Sequence, residues 1–249
     1  MKKLIFCTIF LLTVLIVNAQ QNNNNKFRSI ELEKTQEKWD SIHNSCKNIK
    51  DKDYYGYYDI WSNKVKDNFN FLYDSKIDIS FVFTSNDSYD INSLMDVSLD
   101  FLCDKFNIVD NTKGSELNRT NLKDAEAKSI YFNGVFKNIS SWNAGASLRY
   151  IDTDIIIKMK FKENKIKITM TIPYYKYYCL NVLVGNTHEN RKIIDYPPFS
   201  YKYCNNKPKS NRYKKYVAFY SIAYINSCIN CMNITKQFLQ YLNTRDIDW

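Results

Sequence analysis

The stretch IIIKMKFKENKIKITMTI, residues 155–172, has two limbs of alternating apolar and polar side chains around a polar turn. The apolar positions fall on every second residue: Ile155, Ile157, Met159 and Phe161, then Ile166, Ile168, Met170 and Ile172. A period of two with one apolar face is typical of antiparallel strands that are covered on one side only. The stretch therefore predicts a hairpin with a solvent-facing Lys/Thr side and a polar turn, KENK, in which Asn164 tolerates the positive φ that a tight turn needs.

Segments on both sides of the hairpin carry patterns of strands and helices. Strands are predicted in KIDISFVFT (76–84), SIYFNGVFKNI (129–139, with a bulge at Gly134), SLRYIDTDIIIKMKF (147–161) and YYKYYCLNVLV (174–184). Helices are predicted in DINSLMDVSLDFLCDKFN (90–107, with Asp90 or Asn92 as N-cap) and in residues 217–243. This order predicts an α+β domain over residues 75–245, a curved antiparallel sheet of about five strands backed by helices. Residues 27–74 are predicted to form a helical N-terminal segment.

The N-terminus has the pattern of a secretory signal peptide. Two lysines precede an apolar run from Leu4 to Val17, and Ala19 provides a small residue at the cleavage point. The run is shorter than the ~18 or more apolar residues that a membrane span requires. We therefore expect residues 1–19 to be removed, residues 20–26 to form a disordered tether, and the mature chain to be secreted or periplasmic without a transmembrane span.

Positive charge is concentrated near the C-terminus. The whole chain carries +9, and loss of the two leader lysines leaves +7. No acidic residue lies between Tyr196 and Arg245, and most of the basic residues there are interleaved with tyrosines. The candidate binding residues are Lys202, Tyr203, Lys207, Lys209, Arg212, Tyr213, Lys214 and Lys215. Basic groups beside aromatic faces hold polyanions, although a solvated loop between two elements has the same composition.

The expected partner is an anionic component of the cell envelope, either an acidic glycan or a membrane surface, or another protein. Nucleic acid is not expected, because an exported protein rarely meets it. The solvent face of the hairpin offers a second basic surface, formed by Lys158, Lys160 and Lys167. Both surfaces predict binding that weakens as salt is added.

Six cysteines remain after removal of the leader, an even number that predicts disulfides in an oxidising compartment. The candidates are Cys179, Cys204, Cys228 and Cys231, with Cys204 tying the basic segment to the last helix through Cys228 or Cys231. Cys103 is predicted to be a plain buried thiol. The C-x-x-C spacing of Cys228 and Cys231 leaves one alternative function, a small exported thiol-redox protein or enzyme.

Little in the sequence indicates catalysis. The two histidines, His43 and His188, lie outside any nucleophile motif, and the His43–Cys46 pair has no companion pair of metal ligands. Asp152 and Asp154 point the same way on a predicted strand, without a second sign of a glycosidase cleft. No glycine-rich phosphate loop is present. We therefore expect a non-catalytic binding or adaptor module with no catalytic residue, metal or cofactor.

Three stretches resemble exported Bacteroidetes proteins that carry a domain of unknown function with a TATA-box-binding-protein-like (TBP-like) fold. They are VNAQ (17–20) at the end of the leader, the helix INSLMDVSLDFLCDKF (91–106) and the turn KENKIK (162–167). The resemblance covers roughly residues 75–185 and implies a curved antiparallel sheet backed by helices. The family has no established activity, and the name of the fold implies no DNA binding in an exported protein.

Overall fold

The computed structural model describes residues 26–47, 59–60, 63, 77–106, 122–143, 147–181, 194–196 and 211–245. The described residues form eight strands and three long helices. They are β1 (Phe27–Arg28), α1 (Ile30–Lys47), β2 (Ile77–Ser85), α2 (Ile91–Lys105), β3 (Leu122–Asp124), β4 (Ser129–Asn143), β5 (Ser147–Lys162), β6 (Lys165–Ile172), β7 (Tyr175–Asn181), β8 (Ile194–Tyr196) and α3 (Asn211–Thr244). Among these described helices, none is long and apolar enough to cross a membrane.

The strands form one antiparallel sheet in the order β1-β2-β6-β5-β4-β3. The long strand β5 pairs with β6 through residues 156–162 and with β7 through residues 147–153, and β8 pairs with β7. The predicted α+β class with an antiparallel sheet is confirmed. The described sheet has eight strands instead of about five, because three strands of two or three residues pair at its edges.

The predicted hairpin is confirmed as β5 and β6. Its apolar residues lie opposite one another, with Ile157 paired to Met170 and Phe161 paired to Ile166. All eight apolar positions of the two limbs are at most 3% exposed. Full burial of such a side chain stabilises the fold by about 1.5–3 kcal/mol, so this hairpin supplies a large share of the core.

The turn of the hairpin differs from the prediction. Among the described non-glycine residues, positive φ occurs at Lys128 and Asn138, so this turn does not use the positive φ that Asn164 would tolerate. The connection between β2 and α2 holds the turn instead. The backbone N–H of Ser85 donates to the Asn164 carbonyl (2.9 Å), and that of Tyr89 donates to the Glu163 carbonyl (2.8 Å). These two bonds fix the direction of the turn carbonyls.

Gly134 also has a different role from the predicted one. It pairs in regular register with Ile155, and the bulge in β4 lies further on, between Phe136 and Ser140. The glycine instead allows the Phe106 ring to approach the strand, because a Cβ at position 134 would lie only 2.5 Å from that ring. The bulge is held by Asp152, which accepts a hydrogen bond from the Asn138 backbone N–H at 2.6 Å. Asn138 has a φ of 51° there.

Helix α2 begins where the sequence predicts. Asp90 is the N-cap, and its carboxylate accepts a hydrogen bond from the Ser93 backbone N–H at 2.8 Å. That hydrogen bond holds the pKa of the Asp90 carboxyl below its ordinary value. The helix buries Leu94, Met95 and Leu102 against the sheet side of the molecule.

Helix α3 begins at Asn211, six residues before the predicted start at 217, and it buries a wider face than the predicted stripe. Phe219, Ala223, Tyr224 and Phe238 are at most 2% exposed, together with both cysteines of the helix. The face is wide because α3 contacts the sheet on one side and α1 and α2 on others. It forms the centre of the helical layer.

The N-terminal strand is fastened to the last turns of α3. The Asn243 side chain accepts a hydrogen bond from the Phe27 backbone N–H (2.7 Å) and donates to the Phe27 carbonyl (2.9 Å). Phe27 is fully buried and its ring stacks on Tyr89 at 5.1 Å. The segment before β2 therefore shares one core with the sheet, to which Leu32 and Trp39 of α1 also belong.

Candidate functional site

A groove of about 740 Å³ opens at the tip of the β5–β6 hairpin. The hairpin forms its floor, and Val82 of β2, Ile91 of α2 and the turn between β3 and β4 complete its walls. Five lysines line it: Lys128, Lys160, Lys162, Lys165 and Lys167. We call this feature the lysine groove. Glu163 is the acidic residue that shares the lining, so the local charge is strongly positive.

The side-chain alternation of the hairpin places four of these lysines on one face. Residues 157, 159 and 161 of β5 point into the core, so the lysines between and after them point outward. The register sets Lys160 directly opposite Lys167, and Lys162 directly opposite Lys165. Like charges directly opposite on neighbouring strands are destabilising. Within the described part of the chain, no acidic side chain forms an ion pair with any of the four.

Lys128 reaches the groove from a different element. It closes the turn that joins β3 to β4 and has a φ of 49°, a left-handed conformation that is uncommon for a residue other than glycine. The Phe161 backbone N–H donates to the Lys128 carbonyl at 3.0 Å and holds this turn against the hairpin. The backbone of a fifth lysine is thereby held beside the two opposed pairs.

The structure places Lys158, Lys160 and Lys167 on the exposed sheet face, as the alternation predicts. Lys162 and Lys165 were missed, although the same alternation extended to the ends of both limbs would have found them. Lys128 could not be found in this way, because the polar stretch from 107 to 128 has no periodic pattern.

The basic segment that the sequence predicted lies mostly outside the described residues. Lys202, Tyr203, Lys207 and Lys209 all fall there. The other four candidates, Arg212, Tyr213, Lys214 and Lys215, lie in the first turns of α3, and only their backbone is described. The interpretation of the basic segment as a loop is therefore wrong for these four residues, which are helical. Their role in binding stays a prediction.

The cysteines of α3 do not form the predicted disulfides. Cys228 and Cys231 are both fully buried free thiols, and Cys179 on β7 is a half-buried free thiol. Residues three apart on a helix have Cβ atoms about 5–6 Å apart, whereas a disulfide requires about 3.5–4.5 Å. Cys204, the partner predicted for this pair, lies outside the described residues. Cys103 is half-buried on α2.

Burial also sets the acidity of the two α3 thiols. Loss of hydration raises the pKa of Cys228 well above its ordinary value, with a smaller contribution from Cys231, and it raises the pKa of Cys231 as well. The folded state therefore retains both thiol protons to higher pH than the unfolded state. Stability should be unaffected below the ordinary thiol pKa of 9.0 and should decrease as the pH rises above it.

We expect Cys228 and Cys231 to resist alkylation in the native protein at pH 8. The thiolate is the reactive form, and here it is both rare and enclosed. Labelling with iodoacetamide followed by peptide mass mapping should show modification at least about 100-fold slower than in denaturant, because reaction requires the helix to open. The half-buried Cys179 serves as the internal control. Rapid native labelling of the α3 pair would contradict the buried placement.

The two aspartates singled out from the sequence are both used within the sheet. Asp154 accepts hydrogen bonds from the Tyr174 hydroxyl (2.6 Å) and from the Lys176 ammonium (2.7 Å). Asp152 accepts the backbone N–H of Asn138 in the β4 bulge. The contacts of Asp154 stabilise the connection between β6 and β7, and that of Asp152 stabilises the bulge. Both carboxylates therefore have a structural role.

Neither histidine contributes a described side chain. His43 and Cys46 lie in α1 with only their backbone described, and His188 lies outside the described residues. No group of three or more metal-ligating side chains occurs among the residues that the structure describes.

A second groove, of about 580 Å³, lies between the end of α2, strand β4 and α3. Its polar lining, around Phe106, consists of Lys105, Lys137, Asn230, Asn233 and Gln237. It has two lysines, against five in the lysine groove, and neither belongs to an opposed pair. The lysine groove is therefore the stronger candidate for a binding site.

Comparisons with known proteins give one structural likeness. No protein-family model matches the chain, and no curated protein matches it either. A solved structure of a TBP-like protein from Parabacteroides distasonis ATCC 8503 is similar over 70% of this chain and 97% of its own length, with 10% identity and a TM-score of 0.43.

Proposed function

We propose that this chain is an exported, non-catalytic binding or adaptor module of the cell envelope that holds an anionic partner in the lysine groove. One observation carries the proposal: two pairs of lysines lie directly opposite each other, and a fifth lysine is held beside them. A fold gains no stability from such an arrangement. A bound anion would offset the repulsion and provides a physical reason for it.

Export and a TBP-like architecture are parts of the same proposal. The N-terminal pattern of residues 1–19 supports export. The succession of β2, α2, the four long strands β4 to β7 and α3 forms an antiparallel sheet with helices, the kind of architecture that the sequence resemblance implies. The tyrosine- and lysine-rich segment between residues 202 and 215 remains a second candidate contact surface.

The thiol-redox alternative is less well supported. A redox-active C-x-x-C pair needs an accessible thiolate of lowered pKa. Cys228 and Cys231 are enclosed, and burial raises the pKa of both thiols. We therefore assign them to the core.

The test is binding of heparin, used as a model acidic polymer, to the mature full-length protein by isothermal titration calorimetry at several salt concentrations. The double variant Lys160→Gln/Lys167→Gln should bind about 10-fold more weakly and with a shallower salt dependence, since two exposed ion pairs are lost. The double variant Lys105→Gln/Lys236→Gln removes the same charge elsewhere and should bind like the wild type.

A further control separates the two candidate surfaces. Lys214→Gln/Lys215→Gln removes two charges from the tyrosine- and lysine-rich segment. Equal losses for all three double variants would mean that only net charge matters, and the lysine groove would then be rejected as the site. Loss confined to the Lys214/Lys215 variant would likewise reject it.

A further inference from the structure

The lysines of the hairpin form two rows rather than a ring. Lys158, Lys160 and Lys162 occupy successive outward positions of β5, so their Cα atoms are roughly 6.8 Å apart and the row spans roughly 14 Å. Lys165 and Lys167 form a second row on β6, roughly 5 Å away. Charges laid out in this way match an extended chain with repeating anionic groups better than a single compact anion.

The longer row extends beyond the lysine groove. Lys158 does not line the groove, and the register places it between Thr169 of β6 and Tyr131 of β4. Tyr131 is 38% exposed, which makes it one of the few exposed large apolar side chains among the described residues. Beyond Lys158 the outward positions of β5 change to Ile156 and Asp154, so the positive row ends there.

The shape and the aromatic content of this surface distinguish among polyanions. Five lysines line a groove with walls from three other elements, and a long, thin polymer fits such a groove better than a flat bilayer surface does. Single-stranded nucleic acid is typically held by a series of exposed rings on which successive bases stack. Along this row the described residues offer one exposed ring, that of Tyr131. A linear glycan needs only repeated acidic groups and an occasional ring against a sugar face.

We infer that the lysine groove takes a linear acidic polysaccharide lengthwise along β5, with Lys158 and Tyr131 forming an outer subsite past the groove. This inference rests on the proposed function and specifies its ligand. Short acidic saccharides fill the groove alone, and longer ones also reach Lys158 and Tyr131. The change to Asp154 sets the length beyond which further sugar units add no affinity.

The experiment measures calorimetric affinities of sulfated heparin-derived di-, tetra-, hexa- and octasaccharides for the full-length protein. Wild-type affinity should rise with length and then level off. Lys158→Gln should weaken octasaccharide binding about 3-fold, the effect of one exposed ion pair, and leave disaccharide binding unchanged. Tyr131→Ala should follow the same pattern, whereas Lys165→Gln should weaken both ligands. The Lys and Tyr side chains concerned are exposed, and unchanged thermal midpoints would verify that the variants fold.

Three outcomes would overturn the inference. One is affinity independent of length; another is an equal effect of Lys158→Gln on short and long saccharides. The third is binding to anionic phosphatidylserine vesicles or to oligothymidylate without binding to the saccharides; in that case anion binding itself would stand. If saccharides, vesicles, oligothymidylate and inorganic sulfate all fail to bind, the proposed function fails as well.

Discussion

Replacing Phe238 with alanine should lower the free energy of unfolding by about 3–5 kcal/mol, the range for a buried phenylalanine that leaves a cavity. Phe238 is fully buried in α3. Its ring contacts Phe83 of β2 edge-on at 5.6 Å and Phe101 of α2 at 5.2 Å. The cavity would therefore open where the sheet and two helices meet. Urea denaturation followed by circular dichroism measures the change.

Two variants bracket this result. Gln237→Ala changes the neighbouring exposed position of the same helix and should alter stability by no more than about 0.5 kcal/mol. Phe238→Leu keeps much of the apolar volume and should fall between wild type and alanine. A loss below about 1 kcal/mol in Phe238→Ala would be inconsistent with a core shared by α2, α3 and the sheet.

Replacing Asn243 with alanine should destabilise the protein by about 2 kcal/mol or more. The change removes the partners of the Phe27 backbone N–H and carbonyl, and an unsatisfied buried polar group costs about 1–3 kcal/mol. Hydrogen exchange of the Phe27 amide should accelerate strongly. A general loss of helix stability would instead accelerate exchange at many positions, so acceleration confined to Phe27 identifies the local contact.

The matched control for this prediction is the next residue along α3. Among the described residues, the Thr244 hydroxyl bonds only to carbonyls of its own helix, at 3.1 Å from Gln240 and from Tyr241. Thr244→Ala should therefore leave the exchange rate of the Phe27 amide unchanged. If Asn243→Ala and Thr244→Ala behave alike, the link between the N-terminal strand and α3 does not contribute to stability.

Local patterns predicted the local elements of the fold well. The hairpin and the Asp90 cap depend on residues that are close in sequence, and both were found where expected. Strands of two or three residues, such as β1 and β8, are too short to show a period. The role of Gly134 depends on Phe106, which belongs to another element, and no sequence pattern indicates that contact.

The candidate site likewise has one part that local patterns predict and another part that depends on tertiary structure. Hairpin register alone would place Lys160 opposite Lys167, because the turn fixes the pairing. The position of Lys128 in the lysine groove depends on the β3–β4 turn. The left-handed residue of that turn is this lysine instead of the usual glycine or asparagine. Whether the cysteines form disulfides also depends on tertiary packing. An even count favours disulfides, but only packing decides that Cys228 and Cys231 are enclosed.

The pair of hydrogen bonds between Asn243 and Phe27 has a consequence for the order of folding during synthesis. Its two residues are 216 positions apart, so the hydrogen bonds between Phe27 and Asn243 cannot form until nearly the whole chain has been made. Contacts of such long range form late, after local units such as the β5–β6 hairpin. In a nascent chain on the ribosome these two hydrogen bonds therefore stay unmade until the last helix has emerged. A chaperone that acts on the nascent chain would meet the polypeptide in that incomplete state.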